Sequence, residues 1–222
     1  MNETEFAIDS NDLIENPTPR CACVLVLDTS SSMDGEPIRE LNAALAQFID
    51  ELKADDFASY AIELCVITFG SEIREQLPFT PAYQVDVNPK LTANGATPMG
   101  EAVRRAVRML GDRKGEYKRQ GVSYYQPWLV LMSDGAPTDD WHQAVEQLRG
   151  LAESKKVVSL PVGIGDADLR VLGEFSNRPA KPLAGLKFRE FFVWLSQSMA
   201  RVSQSTPGTA IKLPATSGWD SI

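Results

Sequence analysis

Nearly unbroken apolar runs alternate along this chain with segments whose apolar residues recur every three or four positions. A strand that is covered on both faces gives such a run, so the runs predict buried parallel strands. They lie at residues 21–28, 60–70, 128–134 and 156–165. The more polar segment 72–79 predicts a short hairpin at the edge of the sheet, which we expect Pro78 to stop.

The segments of helical period give the remaining elements. Residues 111–126 are polar and carry glycines, so they predict mostly loop. Thr97 is a candidate N-cap, with Pro98 in the first helical turn. Helices are predicted at 37–53, from Thr97 to 110, from Thr138 onward, near 168–175 and over the stripe from Phe188 to Val202.

Strands that alternate with helices of this length predict an α/β fold with a doubly wound, mostly parallel sheet. The 222 residues suit one domain with tails. We predict an N-terminal tail at 1–19, the domain at 20–205 and a flexible, Pro/Gly/Ser/Thr-rich tail at 206–222.

The charge of the chain limits its partners. A net charge of -8 and a pI near 4.8 argue against nucleic acid and anionic membranes, because a polyanion would be repelled. The chain contains no apolar run of membrane-spanning length, and its start is acidic without an apolar signal core. We therefore expect a cytoplasmic protein.

The cysteines and the single histidine narrow the chemistry further. Three cysteines in a cytoplasmic chain should be reduced thiols, and we interpret Cys21 and Cys23 as small buried residues, with a redox pair as the alternative. His142 has no cysteine near it and is interpreted as a surface residue. This excludes histidine-based zinc sites and makes a Ser-His-Asp triad a poor hypothesis.

Oxygen-bearing residues follow the ends of two predicted strands. Asp28, Ser30 and Ser32 come directly after the first strand, and Asp134 ends a later one. Taken alone, each group could serve only to cap a helix. However, the predicted sheet brings both turns, and the loop that carries Thr97, to one edge, where such folds bind their ligands.

These five oxygen-bearing side chains suit Mg²⁺ or Mn²⁺ rather than zinc or copper. Two carboxylates would neutralise a divalent ion, and the hydroxyls add no charge. An octahedral ion would keep a position for water, which an acidic side chain of a partner protein could take.

The pattern Asp28-x-Ser30-x-Ser32, Thr97 and Asp134 resembles the metal-ion-dependent adhesion site of von Willebrand factor A domains. The strings DTSSSMDGEPI, VITFGSEI, LTANGATPMG, LMSDGAPTDDW and FREFFVWLSQSM resemble the bacterial TerY-like branch associated with tellurium resistance, over about residues 20–203. The resemblance implies a Rossmann-like sheet of about six strands with helices on both faces. It also implies that these five residues bind the metal directly or through water. The common form has glycine at Ser31, so we expect a small loop adjustment and no lost ligand.

We therefore predict a protein-interaction module and no enzyme. The resemblance implies a scaffold encoded beside a protein kinase and a PP2C-type phosphatase, in a stress response. Two alternatives remain open: a magnesium-dependent phosphatase-like enzyme with Asp28 as phosphoryl acceptor, and a partner subunit of an AAA+ ATPase or chelatase. The enzyme has less support, because Ser30 stands where such phosphatases carry a second aspartate.

Asp139 and Trp141 are a second candidate site, for partner binding. An exposed tryptophan near a metal could anchor a partner. The alternative is structural, since acidic residues in a first helical turn favour the helix dipole and the tryptophan would pack inward.

Overall fold

The computed structural model describes residues 13, 16–86, 89–183 and 185–216. The remaining positions of the two predicted tails lie outside the described residues. The strands are β1 (Cys21–Asp28), β2 (Ile62–Phe69), β3 (Ile73–Pro81), β4 (Trp128–Ser133), β5 (Val158–Ile164) and β6 (Lys181–Leu183). The helices are α1 (Glu36–Ala54), α2 (Ala58–Ala61), α3 (Met99–Gln120), α4 (His142–Glu153), α5 (Leu169–Glu174) and α6 (Phe188–Ser203).

The strands form one six-stranded sheet in the order β3-β2-β1-β4-β5-β6, in which only the β2–β3 pairing is antiparallel. One face packs against α1 and α6, where the rings of Phe48 and Phe192 lie 5.1 Å apart. The other face packs against α3 and α4 through residues such as Val103 and Leu148. The predicted doubly wound α/β class is confirmed.

The strand order creates a crevice at one edge of the sheet. The chain leaves β1 toward α1 on one face, whereas α3, which leads into β4, covers the other face. Because β1 and β4 are neighbours, the loops after them separate at the sheet edge, which is where doubly wound sheets bind ligands.

Among the described residues, no helix combines the length and apolar character needed to cross a membrane.

The prediction of mostly loop at 111–126 is wrong, because α3 continues to Gln120. The inward positions of its last turns carry Arg113 and Tyr117, which are polar yet buried. Both bind the buried Glu63 of β2: Arg113 through Nε at 2.6 Å and Nη2 at 2.9 Å, and Tyr117 through its hydroxyl at 2.5 Å. Polar residues do not contribute to the apolar periodicity that predicts a helix from sequence. In the structure, the polar groups of these two residues are paired in the protein interior.

Strand β3 continues past Pro78, where we expected it to stop, and ends at Pro81. The pairing register shifts between Val66 and Leu64 of β2, opposite this part of β3. Strand β3 lies at the edge of the sheet, and at a bulge not every residue donates a hydrogen bond to the neighbouring strand. Proline has no N–H group to donate and is therefore tolerated there.

Smaller differences concern the ends of elements. Helix α4 begins at His142 rather than near Thr138. The segment from Tyr60 begins with the last turn of α2 before the strand starts at Ile62. Strand β6 has three residues, too few to leave an apolar pattern, and was not predicted.

The indole of Trp194 donates a hydrogen bond to the carbonyl of Pro214 at 3.0 Å, which ties the segment after α6 to that helix.

Candidate metal centre

Asp28 closes β1 with its side chain fully buried. One carboxylate oxygen accepts the backbone N–H of Ser30 at 2.8 Å, and the other accepts the hydroxyl of Ser133. These two bonds hold the carboxylate facing the loop that follows. Ser133 was not among the predicted residues, although its position next to Asp134 at the end of a strand was a usable signal.

A chain of oxygens links the loops after β1 and β4. The hydroxyls of Ser30 and Ser32 lie 3.0 Å apart, and Ser32 donates to a carboxylate oxygen of Asp134 at 2.8 Å. Ser30 is buried, Asp134 is half-buried and Ser32 is exposed. The cluster is therefore open to solvent on the side of Ser32.

Backbone contacts hold the first loop in place. The N–H of Thr29 donates to the carbonyl of Phe69 at 2.8 Å, and the N–H of Asn94 donates to the carbonyl of Thr29 at 2.7 Å. Ser31 donates its N–H to the carbonyl of Gly95 at 3.0 Å, and its hydroxyl accepts the N–H of Gly95 at 2.9 Å. The serine at position 31 thus gains a bond to the neighbouring loop.

Gly95 is required where these loops meet. Its φ is +84°, and a Cβ atom there would lie 2.3 Å from the backbone nitrogen of Ser71. Any other residue would push apart the loops that position Ser30 and Thr97.

Thr97 is held against the loop after β4 by two hydrogen bonds with Thr138. The N–H of Thr97 donates to the hydroxyl of Thr138 at 3.0 Å, and the N–H of Thr138 donates to the carbonyl of Thr97 at 2.9 Å. The Thr97 hydroxyl lies 3.7 Å from the point where a Cβ of Gly135 would stand. All five predicted residues are therefore found at one edge of the sheet, with Thr97 beside the turn that carries Asp134.

The predicted N-cap role of Thr97 is not what the structure contains, since Met99 begins the helix and Pro98 precedes it. The free N–H groups at that end are bound by Asp139 instead. Its carboxylate accepts from Gly100 at 3.0 Å and from Glu101 at 2.7 Å.

Trp141 also makes internal contacts. Its ring stacks on His142 at 4.5 Å and lies 5.8 Å from Phe175, and its Cα would be 2.6 Å from a Cβ at Gly100. Asp139 and Trp141 thus join α3 to α4, and partner binding by these two side chains stays a prediction. His142 itself is exposed, as expected.

The charges at the centre are compatible with a cation. The pKa of Asp28 is raised above its usual value, and burial is the main cause. The hydrogen bonds from Ser133 and Ser30 lower this pKa, whereas the nearby Asp134 raises it. Two carboxylates close enough to repel each other would both be stabilised by a positive ion nearby.

The kinds of donor indicate which ion suits the cluster. It offers carboxylate and hydroxyl oxygens, without imidazole or thiolate. Within the ranges that the structure describes, no group of three or more His, Cys, Asp and Glu residues could hold a metal ion, and this cluster combines two carboxylates with hydroxyls. The donor set suits a hard divalent ion, and the residues present fit the ion that we predicted.

Three proteins of known structure share the fold. The pilus adhesin SpaC of Lactobacillus rhamnosus GG superposes with a TM-score of 0.69 at 13% identity, over 82% of this chain and 30% of that one. Proximal thread matrix protein 1 of the mussel byssus gives 0.59 at 16% identity, over 85% of this chain and 47% of that one. The manganese-loaded TRAP protein of Plasmodium vivax gives 0.54 at 21% identity, over 80% and 73%.

This chain thus spans about half the length of the mussel protein and less than a third of SpaC. At these identities the likeness concerns the fold. Comparison with curated protein sequences finds no match. The family model of the von Willebrand factor type A domain matches residues 23–193, a range that contains most of β1, all of β4 and all five residues of the oxygen cluster. The chain therefore belongs to the von Willebrand factor type A domain family.

Proposed function

We propose that this domain is a metal-dependent protein-interaction module whose ion is held by Asp28, Ser30, Ser32, Thr97 and Asp134. The observation that carries the proposal is the oxygen chain from Ser30 through Ser32 to Asp134 beside the buried Asp28 carboxylate. Side chains from separate loops converge there.

Metal binding in proteins of the same fold supports the proposal. The structure of the mussel protein has been determined with zinc in its metal-ion-dependent adhesion site (MIDAS) motif, and that of the Plasmodium protein with manganese bound. For this chain we propose Mg²⁺, with Mn²⁺ as the alternative, because its donors are all oxygens. The ion would offer an open position to a Glu or Asp side chain of a protein partner, as a Lewis acid binds an anion.

The biological setting is also a proposal. The quoted strings resemble the tellurium-resistance branch, so we propose a cytoplasmic scaffold in a stress-linked phosphorylation system, with a kinase and a PP2C-type phosphatase as candidate partners. A partner subunit of an AAA+ ATPase or chelatase would use the same site, and the identity of the captured partner would separate the two.

The geometry gives less support to a phosphatase-like enzyme. A phosphoryl acceptor must reach its substrate, whereas Asp28 is fully buried and both of its oxygens accept hydrogen bonds. The purified protein should release no phosphate from generic phosphoesters in the presence of Mg²⁺. Turnover that Asp28→Asn abolishes and Thr97→Ala preserves would favour the enzyme.

Calorimetry tests the metal site directly. Titration of the full chain with Mg²⁺ and Mn²⁺ should give one site, and a Ser30→Ala, Ser32→Ala double variant should lose it with an unchanged circular dichroism spectrum. Ser123→Ala, an exposed serine at the other end of the sheet, is the matched control. Equal affinity in the double variant and the control would contradict the assignment.

Partner capture tests the interaction. Recovery of the partner from wild type in Mg²⁺ should fail in EDTA and with Thr97→Ala, which leaves the net charge unchanged. Loss of one partner carboxylate on the metal should cost roughly 2–4 kcal/mol of binding free energy. Capture that is equal under all three conditions would place the interaction surface elsewhere.

A further inference from the structure

Three aromatic side chains stand exposed at the edge of the sheet opposite the metal centre. Phe57 is 56% exposed, Tyr60 48% and Tyr83 37%. We call these three residues the aromatic patch. In the described part of the chain, Ile211 is the one other large hydrophobic residue with comparable exposure. The other aromatic residues that the structure describes are buried or half-buried, so exposed aromatics close together in the fold indicate an interaction surface.

The topology separates this patch from the metal centre. Tyr60 lies on α2, directly before β2, and Tyr83 lies on the 3₁₀ turn Ala82–Gln84, directly after β3. Pro81 pairs with Glu63 at the start of β2, so both elements meet at the amino ends of the parallel strands. At about 3.3 Å per residue, an eight-residue strand puts roughly 25 Å between the two surfaces.

The backbone beneath the patch is held rigidly. The carboxylate of Asp55 accepts the N–H groups of Phe57 at 3.0 Å and of Ala58 at 2.7 Å. The carbonyl of Tyr60 accepts Nη1 of the buried Arg20 at 2.6 Å and Nδ2 of Asn16 at 3.2 Å. Rings on a fixed backbone lose little conformational freedom when a partner binds, which favours their use as anchors.

Two of the three rings pack against each other. Tyr60 and Tyr83 pack with their centroids 4.9 Å apart and their planes tilted by 34°. Each keeps more than a third of its surface in solvent. Exposed tyrosine faces attract cations, because the ring quadrupole is negative over its face.

Acidic residues lie close to the aromatic patch along the chain. Asp55 and Asp56 precede Phe57, and the exposed Asp86 follows the turn that carries Tyr83. Lys53, the nearby cation in the sequence, donates its ammonium group to the carbonyl of Val85 at 2.7 Å. This part of the chain thus carries three carboxylates and one lysine, and the whole chain has a net charge of -8. This negative charge would repel nucleic acid and would also repel a second copy of the acidic chain.

We propose that the aromatic patch docks an arginine- and lysine-bearing segment of a partner protein. Guanidinium groups would lie over Tyr60 and Tyr83, and Asp56 and Asp86 would pair with the neighbouring basic side chains. The inference is independent of the metal, so binding should be unchanged in EDTA. A partner held here and another at the metal centre would be bound at opposite ends of one domain.

NMR titration of the ¹⁵N-labelled full chain tests the proposal, with a synthetic seven-residue peptide carrying four arginines as the probe. The peptide should shift amide signals at 55–60 and 82–86. Tyr60→Ala or Tyr83→Ala should each weaken binding by about threefold or more, as expected for the loss of one exposed cation–π contact. Ile211→Ala is the matched control and should bind like wild type, as should wild type in EDTA.

Three results would overturn the proposal. The first is the absence of shifts at the patch at millimolar peptide. The second is equal binding of a peptide with four glutamates in place of the arginines. The third is a dimer in sedimentation that Phe57→Ser converts to a monomer, which would make a second copy the occupant. Circular dichroism of each variant separates these results from misfolding, and Asp56→Asn gives a second reading without removing a ring.

Discussion

The hydroxyl of Ser32 donates to the carboxylate of Asp134 at 2.8 Å, although 102 positions separate the two residues in the chain. The contact joins the loops after two adjacent parallel strands, and both side chains belong to the proposed metal centre. Binding of an ion there would have a measurable consequence for stability.

Mg²⁺ should raise the melting temperature of the protein, and Asp134→Asn should abolish the rise. Without metal, Asp134→Asn should melt at the wild-type temperature or above it, because the variant removes the repulsion between this carboxylate and Asp28. Binding stabilises by RT ln(1 + [L]/Kd), about 2.7 kcal/mol at a hundredfold excess over Kd. Differential scanning fluorimetry with Mg²⁺ and with EDTA measures both effects. A metal-dependent rise that survives in Asp134→Asn would argue against this carboxylate as a ligand.

Gly95→Ala should destabilise the protein by more than about 2 kcal/mol and weaken metal binding as well. The added Cβ would meet the backbone of Ser71 at 2.3 Å, in addition to the strain of a φ of +84°. Gly121→Ala is the matched control, since its φ is +67° and no atom lies within 4 Å, so it should cost only about 1 kcal/mol. Urea denaturation and calorimetry compare the two. Equal losses would show that the contact with Ser71 is readily relieved.

Glu63→Gln should cost about 3 kcal/mol or more of unfolding free energy. Glu63 is fully buried and accepts from Arg113 and Tyr117, with Arg20 at 3.8 Å. Removal of its charge takes away the one fully buried carboxylate beside these two guanidinium groups, and Arg113 then keeps only the more exposed Glu116 as an ion-pair partner among the described residues. The exposed pair of Glu153 with Arg149 offers the control, and Glu153→Gln should change stability by less than about 0.5 kcal/mol.

A double variant sharpens this test. Glu63→Gln combined with Arg113→Met should lose less than the sum of the two single variants, because each single variant already removes the ion pair between these two side chains. Urea denaturation of the four proteins closes the cycle. Additive losses would mean that the two side chains do not interact energetically.

The three cysteines should resist alkylation in the native protein. Cys21, Cys23 and Cys65 are all buried free thiols, and burial raises the pKa of Cys23 to about 12. Iodoacetamide at pH 8 should label none of them until urea unfolds the chain, as mass spectrometry would record. Rapid labelling of Cys21 and Cys23 in the native state would revive the redox alternative.

The same raised pKa makes stability depend on pH. The unfolded thiol loses its proton near pH 9, whereas the folded Cys23 keeps it until about pH 12. The contribution of Cys23 to the free energy of unfolding is therefore complete below pH 9 and is lost as the pH rises toward 12. The fall in unfolding free energy between pH 7.5 and pH 10.5 should be smaller in Cys23→Ala than in wild type. An equal fall in both would assign the alkaline loss to other groups.

Sequence by itself determined the elements whose burial is simple. The apolar runs that contain Val24 and Val130 are covered on both faces, so their pattern predicted β1 and β4 without knowledge of their neighbours. The spacing of Phe191, Leu195 and Met199 predicted α6 in the same way. The class of fold followed from the alternation, because parallel strands need helical crossovers.

Sequence also selected the five oxygen-bearing residues, because strand ends in such a fold meet at one edge. The pairing of Thr97 with Thr138 and the contribution of Ser133 depend on how the loops approach each other across the sheet. No local pattern encodes that approach.

Tertiary structure alone decided the rest. The last turns of α3 are helical because Arg113 and Tyr117 find Glu63, a partner at least 50 residues away, and an isolated polar segment gives no sign of it. Asp139 caps α3 rather than its own helix for the same reason. The aromatic patch exists because the chain brings Tyr60 and Tyr83 together from either side of a strand hairpin. Local pattern records whether a residue is apolar, whereas the free energy of a buried charge or an exposed ring depends on the groups that the fold brings beside it.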